Sequence, residues 1–236
     1  MEVEESILTK LINSVLNHLL GYPPDYHLIP DQVVMTAFIV LLAAIFLPLL
    51  RRRFRIRRPS YLQQILEITV EYLERLIDDY IGEEGRRYLP LVGTFGFFIL
   101  VASIIGYVPG FSSATANYNT TLALALISFF AYNYAGLKKH GFFRYIRSIG
   151  GQPLWLLPLR FPTEILSHLA RILSLSVRLF GNIYGDHIVY LVFFSFLPLV
   201  LPIPFMGLSF FVAIIQAYVF VVLSIIYLAG ALSPEE

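Results

Sequence analysis

Residues 160–187 read RFPTEILSHLARILSLSVRLFGNIYGDH, and the periodicity of this stretch decides how the rest of the chain is read. At 100° per residue, with Glu164 set at zero, Arg160 falls at about −40°, His168 at about +40° and Arg171 at about −20°. Arg178 follows at about −40°, Asn182 at about 0° and Asp186 at about +40°. With Glu164, seven polar or ionisable groups lie in a band roughly 80° wide over about seven turns. Ile165, Leu169, Ile172, Leu173, Leu179 and Ile183 form the other side, and His187 is off the band. Facing hydrocarbon, Glu164, Arg171, Arg178 and Asp186 together would cost roughly 10–14 kcal/mol, so the band must face protein or a water-filled cavity. Glu164 can pair within the helix, with His168 one turn on or Arg171 two turns on. Arg178 has no acid within four residues on its own helix. Its counter-ion has to come from elsewhere.

The same helix is long. Pro162 suits a first turn, and a helix from there to Leu197 is about 52 Å long, against a hydrocarbon core of about 30 Å. It has to tilt, bend or lie partly across the membrane.

Composition agrees. Of 236 residues, 57% are apolar or aromatic and 14% are charged, well below the roughly 25% charged content of soluble domains. A formal charge of +1 argues against a basic nucleic-acid-binding surface and, with this hydrophobicity, excludes a disordered chain. The absence of cysteine excludes a disulfide framework, a thiolate metal site and a Cys nucleophile. A phosphate-cradling Gly-rich loop, an H-E-x-x-H pair and a nucleophile elbow are all missing, so the chain reads as no autonomous enzyme and calls for no cofactor.

Uncharged runs of spanning length occur at 33–50, 91–108 and 121–137. The next uncharged run, 188–234, is too long for one span and is divided by Pro198, Pro202 and Pro204. The expected fold is an all-α membrane protein, one membrane domain over 1–236, with five transmembrane helices at 33–50, 91–108, 121–137, 162–197 and 205–230. Residues 1–22 are expected to form an amphipathic helix on the membrane surface, with Ile7, Leu8, Leu11, Val15 and Leu19 on one side. Residues 60–81 carry Leu62, Ile65, Leu66, Leu73, Leu76 and Ile77 on one stripe and Glu67, Glu71, Glu74 and Asp78 opposite. They are expected to form a cytoplasmic surface helix that docks on a protein partner. Arg51, Arg52, Arg53, Arg55, Arg57 and Arg58 follow the first span, and Lys138, Lys139, Arg144 and Arg147 the third. The positive-inside rule then puts the N-terminus outside and the C-terminus in the cytoplasm. No internal repeat is visible, which weakens the common transporter architectures.

The segment SLSVRLFGNIYGD, Ser174 to Asp186, resembles the signature of subunit a of the F-type proton-translocating ATP synthases. PTEILSHLARILSLS (162–176), TANYNTTLALAL (115–126) and IQAYVFVVLSIIYLA (215–229) resemble the same family. The resemblance covers the chain from about residue 60 onward. It implies a non-catalytic stator subunit of a bacterial inner membrane, beside a rotating ring of c subunits, with peripheral-stalk subunit b and the rest of the complex as further partners. It further implies a long tilted helix paired to the last one, and two proton half-channels coupled through the ring to ATP synthesis. Arg178 is then the indispensable arginine and Glu164 the acid of the cytoplasmic-side path. Asn182 is the motif asparagine, Asp186 and His187 hold the outer-side positions, and Gln216 is the amide of the last helix. His168, one turn from Glu164, is a further relay candidate. The chain departs from some members at Asn117 and Ser209, where they carry an acid, or a His or Glu. The competing readings are a secondary transporter with an intramembrane Arg–carboxylate site and a membrane scaffold.

Overall fold

A computed structural model describes residues 6–20, 23, 29–54, 59–108, 110–141, 157–196 and 202–232. Among them are seven α-helices and no strand: α1 (Ile7–Leu20), α2 (Asp31–Arg53), α3 (Tyr61–Tyr80), α4 (Leu89–Ile105), α5 (Tyr118–His140), α6 (Leu157–Phe196) and α7 (Pro202–Leu232). Short 3-10 segments precede α4 (Glu83–Tyr88) and α5 (Ala114–Ala116). Four stretches are long and apolar enough to cross a membrane: Asp31–Arg52, Glu83–Ile105, Tyr118–His140 and Pro204–Leu232.

The helix ends follow local chemistry. The side chain of Asn117 caps α5 by accepting from the Asn119 N–H at 2.9 Å. Lys138, Lys139 and His140 occupy its last turn, where positive charge meets the negative end of the helix dipole. Gly141 then turns the chain away at φ 77°, a value that L residues rarely adopt. At its other end α7 opens on Pro202, whose missing N–H is one a helix start leaves unpaired anyway. α6 is described as far as Phe196 and α7 from Pro202, and the break expected at Pro198 lies outside the described residues.

Two expectations need correction. The helix bearing the polar band does not begin at Pro162. It begins at Leu157 and carries Pro162 inside it, tolerating one lost backbone hydrogen bond near its end. At 40 residues it is about 60 Å long. The second apolar run ends its helix at Ile105, three residues short of Val108, because Gly106 and Tyr107 turn off through backbone bonds: the Tyr107 and Val108 N–H groups donate back to Ile104 and Ile105.

The centre of the molecule is a cluster shared by four helices. Phe95 and Ile99 of α4, Leu124 and Ala125 of α5, Leu175 and Leu179 of α6, and Ala217 and Phe220 of α7 bury one another. Phe95 and Phe220 meet edge-on at 5.5 Å, the geometry their ring quadrupoles favour. Gly96 lets α4 and α7 approach closely, since a Cβ there would come within 3.0 Å of Val221 Cγ2. On this frame α2 packs against α4, and α3 lies against α4 and α7. The C-terminal half of α3 seats its apolar side, with Ile77 buried beside Val92, Val221 and Ile225; nearer its start Gln63 is buried while Tyr61, Leu62, Ile65 and Ile68 stay exposed. The seat is fastened by Arg86, which grips Asp78 through two nitrogens at 2.9 and 2.6 Å, and by Lys139, which reaches Glu84 at 3.1 Å.

Candidate functional site: the polar band of α6

The band predicted on α6 lies beside the buried cluster, not within it. Leu175, Ser176 and Leu179 turn inward and are buried, and this leaves Arg178 exposed. Between His168 and Asp186 four of the band's side chains meet residues on two other helices. His168 Nδ1 pairs with the Tyr132 hydroxyl of α5 at 3.0 Å, with the two rings stacked and Phe129 edge-on to the imidazole. Arg171 lays its guanidinium over the Tyr227 ring of α7, 5.2 Å from the centroid, a cation–π contact that strengthens when desolvated. Asn182 Nδ2 donates to Gln216 Oε1 of α7 at 2.6 Å. Ser209 of α7 lies close to both the Asp186 carboxylate and the Tyr107 hydroxyl. As the α6 number rises from 171 through 182 to 186, the α7 partner falls from 227 through 216 to 209. The two helices therefore run antiparallel along the band.

Arg178 is different. Among the described residues it makes no hydrogen bond and no ion pair. The structure thus brings Asn182 and Gln216 together, gives His168 a hydroxyl partner and puts Asp186 beside Ser209, while Arg178 is exposed and has no partner among the described residues. The side chains of Glu164 and His187 lie outside the described residues. No cluster of His and acidic residues that could hold a metal occurs among the described ones.

Sequence reading missed the aromatic partners. Tyr132 and Tyr227 sit in apolar runs and carry no charge, yet they are where His168 and Arg171 make contact. The available signal was energetic: a cation in such a helix needs a partner, and a tyrosine offers one through its hydroxyl or ring face. The hydroxyl pair Ser128–Ser224, 3.2 Å apart inside the α5–α7 contact, was missed for the same reason.

Comparison with known proteins bears on this geometry. The family model described as ATP synthase A chain matches residues 33–229. The "ATP synthase subunit a 1" of Syntrophotalea carbinolica is 45% identical over 203 residues, 86% of each chain. The "ATP synthase subunit a" of Helicobacter pylori strain P12 is 43% identical over 86% of this chain and 91% of its own. That of Trichlorobacter lovleyi is 36% identical over 99% of this chain and 100% of its own. With four apolar spanning helices, a polar-banded helix against the last of them, and relatives matched along nearly their whole length, this multi-pass membrane chain belongs to the ATP synthase subunit a family.

Proposed function

We propose that α6 is a fifth membrane-crossing helix and that Arg178 is the fixed cation past which a rotor carboxylate moves, with proton access from opposite sides of the membrane. One observation carries this reading. Arg178 is exposed on its own chain, in a helix expected at membrane depth, while its neighbours along the band are tied to α5 and α7. Leaving that charge in hydrocarbon would cost about 2.5–3.5 kcal/mol or more, so a second protein surface carrying an anion is the natural occupant.

The electrostatics fit such a partner. Arginine stays protonated in any accessible environment. A carboxylate arriving within about 4 Å gains about 4 kcal/mol at an effective dielectric of 20, which favours its ionised form by about three pKa units. The proton is shed before the carboxylate passes, and the fixed cation bars direct hopping between the two access paths. In this scheme Glu164 and His168, on the N-terminal part of α6, serve the cytoplasmic path. Asp186 and His187, nearer its C-terminal end, serve the outer path. Asn182 and Gln216 hold the centre of the α6–α7 pair. The occupant of the Arg178 face is then a ring of c subunits, and subunit b and the remaining stator complete the complex. The chain moves protons and leaves ATP chemistry to other subunits.

The test is assembly followed by coupling. Arg178→Ala is expected to assemble with the complex and to abolish both proton-driven ATP synthesis and ATP-driven acidification of inverted vesicles. Normal acidification by the assembled variant would reject the role. A cysteine placed beside Arg178 is expected to cross-link to the mid-membrane carboxylate position of a neighbouring ring subunit.

A further inference from the structure

The first helix is built inside out for a water-soluble protein. Ser6, just before α1, and Thr9, Asn13 and Asn17 within it are buried, none more than 5% exposed. Ile7, Leu11, Val15 and Leu19 stand outward, 62%, 63%, 51% and 76% exposed. A polar row inward and an apolar row outward, the latter flanked by exposed Lys10, Ser14 and His18, suit a helix at the boundary of acyl chains and headgroups. The exposed apolar surface of α2, at Val33, Val40 and Leu41, is the same kind of surface.

The inward row is tied down at one acid. Asp31, at the start of α2, accepts from the Ser6 N–H at 3.1 Å, from the Thr9 hydroxyl at 2.5 Å and, on its other oxygen, from the Ser112 hydroxyl. Ser112 belongs to the loop between α4 and α5, and α1 grips that loop a second time. The Ile7 N–H donates to the Gly110 carbonyl at 3.0 Å, and the Ser6 hydroxyl reaches the same oxygen at 3.2 Å. Gly110 has φ +89°, a conformation that L side chains rarely adopt, so this turn favours glycine. Asn13, midway along α1, pairs with both the N–H and the carbonyl of Ile29. The same loop packs on α6 through Ala114–Ala116, with Tyr118 edge-on to Phe180 just beyond it, and carries Tyr107 close to Ser209 and Asp186.

We propose that α1 is a lipid-seated strap, fastened at Asp31, that holds the α4–α5 loop and its Tyr107 against the Ser209–Asp186 pair. Asp31 is a positioning residue here: it acts through the loop and carries no proton itself. This rests on the reading of Asp186 as part of the outer proton path. The lipid recognised is the outer acyl–headgroup boundary, and its contact is the Ile7–Leu11–Val15–Leu19 row.

The chain has no cysteine, so single-cysteine reporters on it are unambiguous. In the assembled ATP synthase in membrane vesicles, Leu11→Cys is expected to react with a lipid-soluble maleimide and to resist a charged, impermeant one. Adding Asp31→Ala removes three acceptor contacts; the charged reagent should then reach the introduced thiol, and proton-driven ATP synthesis should fall about three- to tenfold with assembly unchanged. Cross-linking a Thr9→Cys/Ser112→Cys pair in the Asp31→Ala background replaces the acid by a tether that cannot titrate, and should restore most of the rate. Three results would overturn the strap: full synthesis with α1 released, an α1 that stays shielded in Asp31→Ala, or a re-tethered α1 with the rate still low. The stator reading stands or falls separately, on Arg178→Ala measured in the same vesicles.

Discussion

Asn182 and Gln216 join α6 to α7 through a side-chain hydrogen bond of 2.6 Å between residues thirty-four apart in sequence. Gln216 is 4% exposed, so losing its partner leaves a buried amide oxygen unsatisfied. Asn182→Leu and Gln216→Leu should each lower the thermal stability of the complex in detergent. The double variant should cost less than the two singles added, with a coupling of about 0.5–1.5 kcal/mol, the range for interhelical hydrogen bonds in membranes. Strictly additive losses in a double-mutant cycle would mean that the bond contributes nothing.

Arg178→Lys separates charge from identity. Lysine can lose its proton in a desolvated site, and it lacks the planar five-donor fork. The variant should assemble normally and still support less than about 1% of proton-driven synthesis, a loss of roughly 3 kcal/mol in coupling. Synthesis in vesicles at fixed proton-motive force is the measurement, and a rate within a few-fold of the parent would show that a bare positive charge suffices.

The Tyr132 hydroxyl can be removed without its ring. Tyr132→Phe keeps the stack on His168 and loses the hydrogen bond at 3.0 Å. Such a bond has a net worth of about 1 kcal/mol. If His168 relays protons, the rate at neutral pH should drop roughly fivefold with coupling intact. His168→Leu should be at least as slow. A Tyr132→Phe rate equal to the parent's would reduce His168 to packing.

The fastening of α3 should respond to acid. Arg86 holds the Asp78 carboxyl below its ordinary range, and Lys139 pairs with Glu84. A lowered carboxyl pKa contributes stability that is present above the unfolded value, near 4, and is lost as pH falls through the folded one. Amide exchange over 76–88 in nanodiscs should therefore be slow and level from pH 8 to about pH 5, once corrected for intrinsic rates, and should quicken below about pH 4. Arg86→Gln should exchange faster throughout and lose much of its acid limb. Both pairs are exposed, so added salt should weaken them.

Much of this architecture was legible beforehand, for identifiable reasons. Uninterrupted apolar runs located four spanning stretches, because a run of spanning length is a local signal that needs no knowledge of its neighbours. The band on α6 was legible because a charge in an apolar run is costly enough to demand an explanation. What escaped was the pairing. Which hydroxyl meets His168, or which ring lies over Arg171, depends on how α5 and α7 stack around Phe95 and Phe220, and no one-dimensional pattern encodes that. The apolar row of α1 is plain in its helical spacing, but its polar row gave no hint that Asp31 would gather it.

A helix of 40 residues is a rod about twice as long as the hydrocarbon slab is thick. If it stays largely within that slab, it leans about 60° from the normal, with its ends about 50 Å apart in the membrane plane. A leaning rod and its mirror image are not superimposable beside a cylinder. On the proposed function, the side of Arg178 on which a proton boards is then fixed by the direction of the lean. The sense in which the rotor turns for a given proton gradient would thus be a chiral property, set by the packing of L-amino acids against one another.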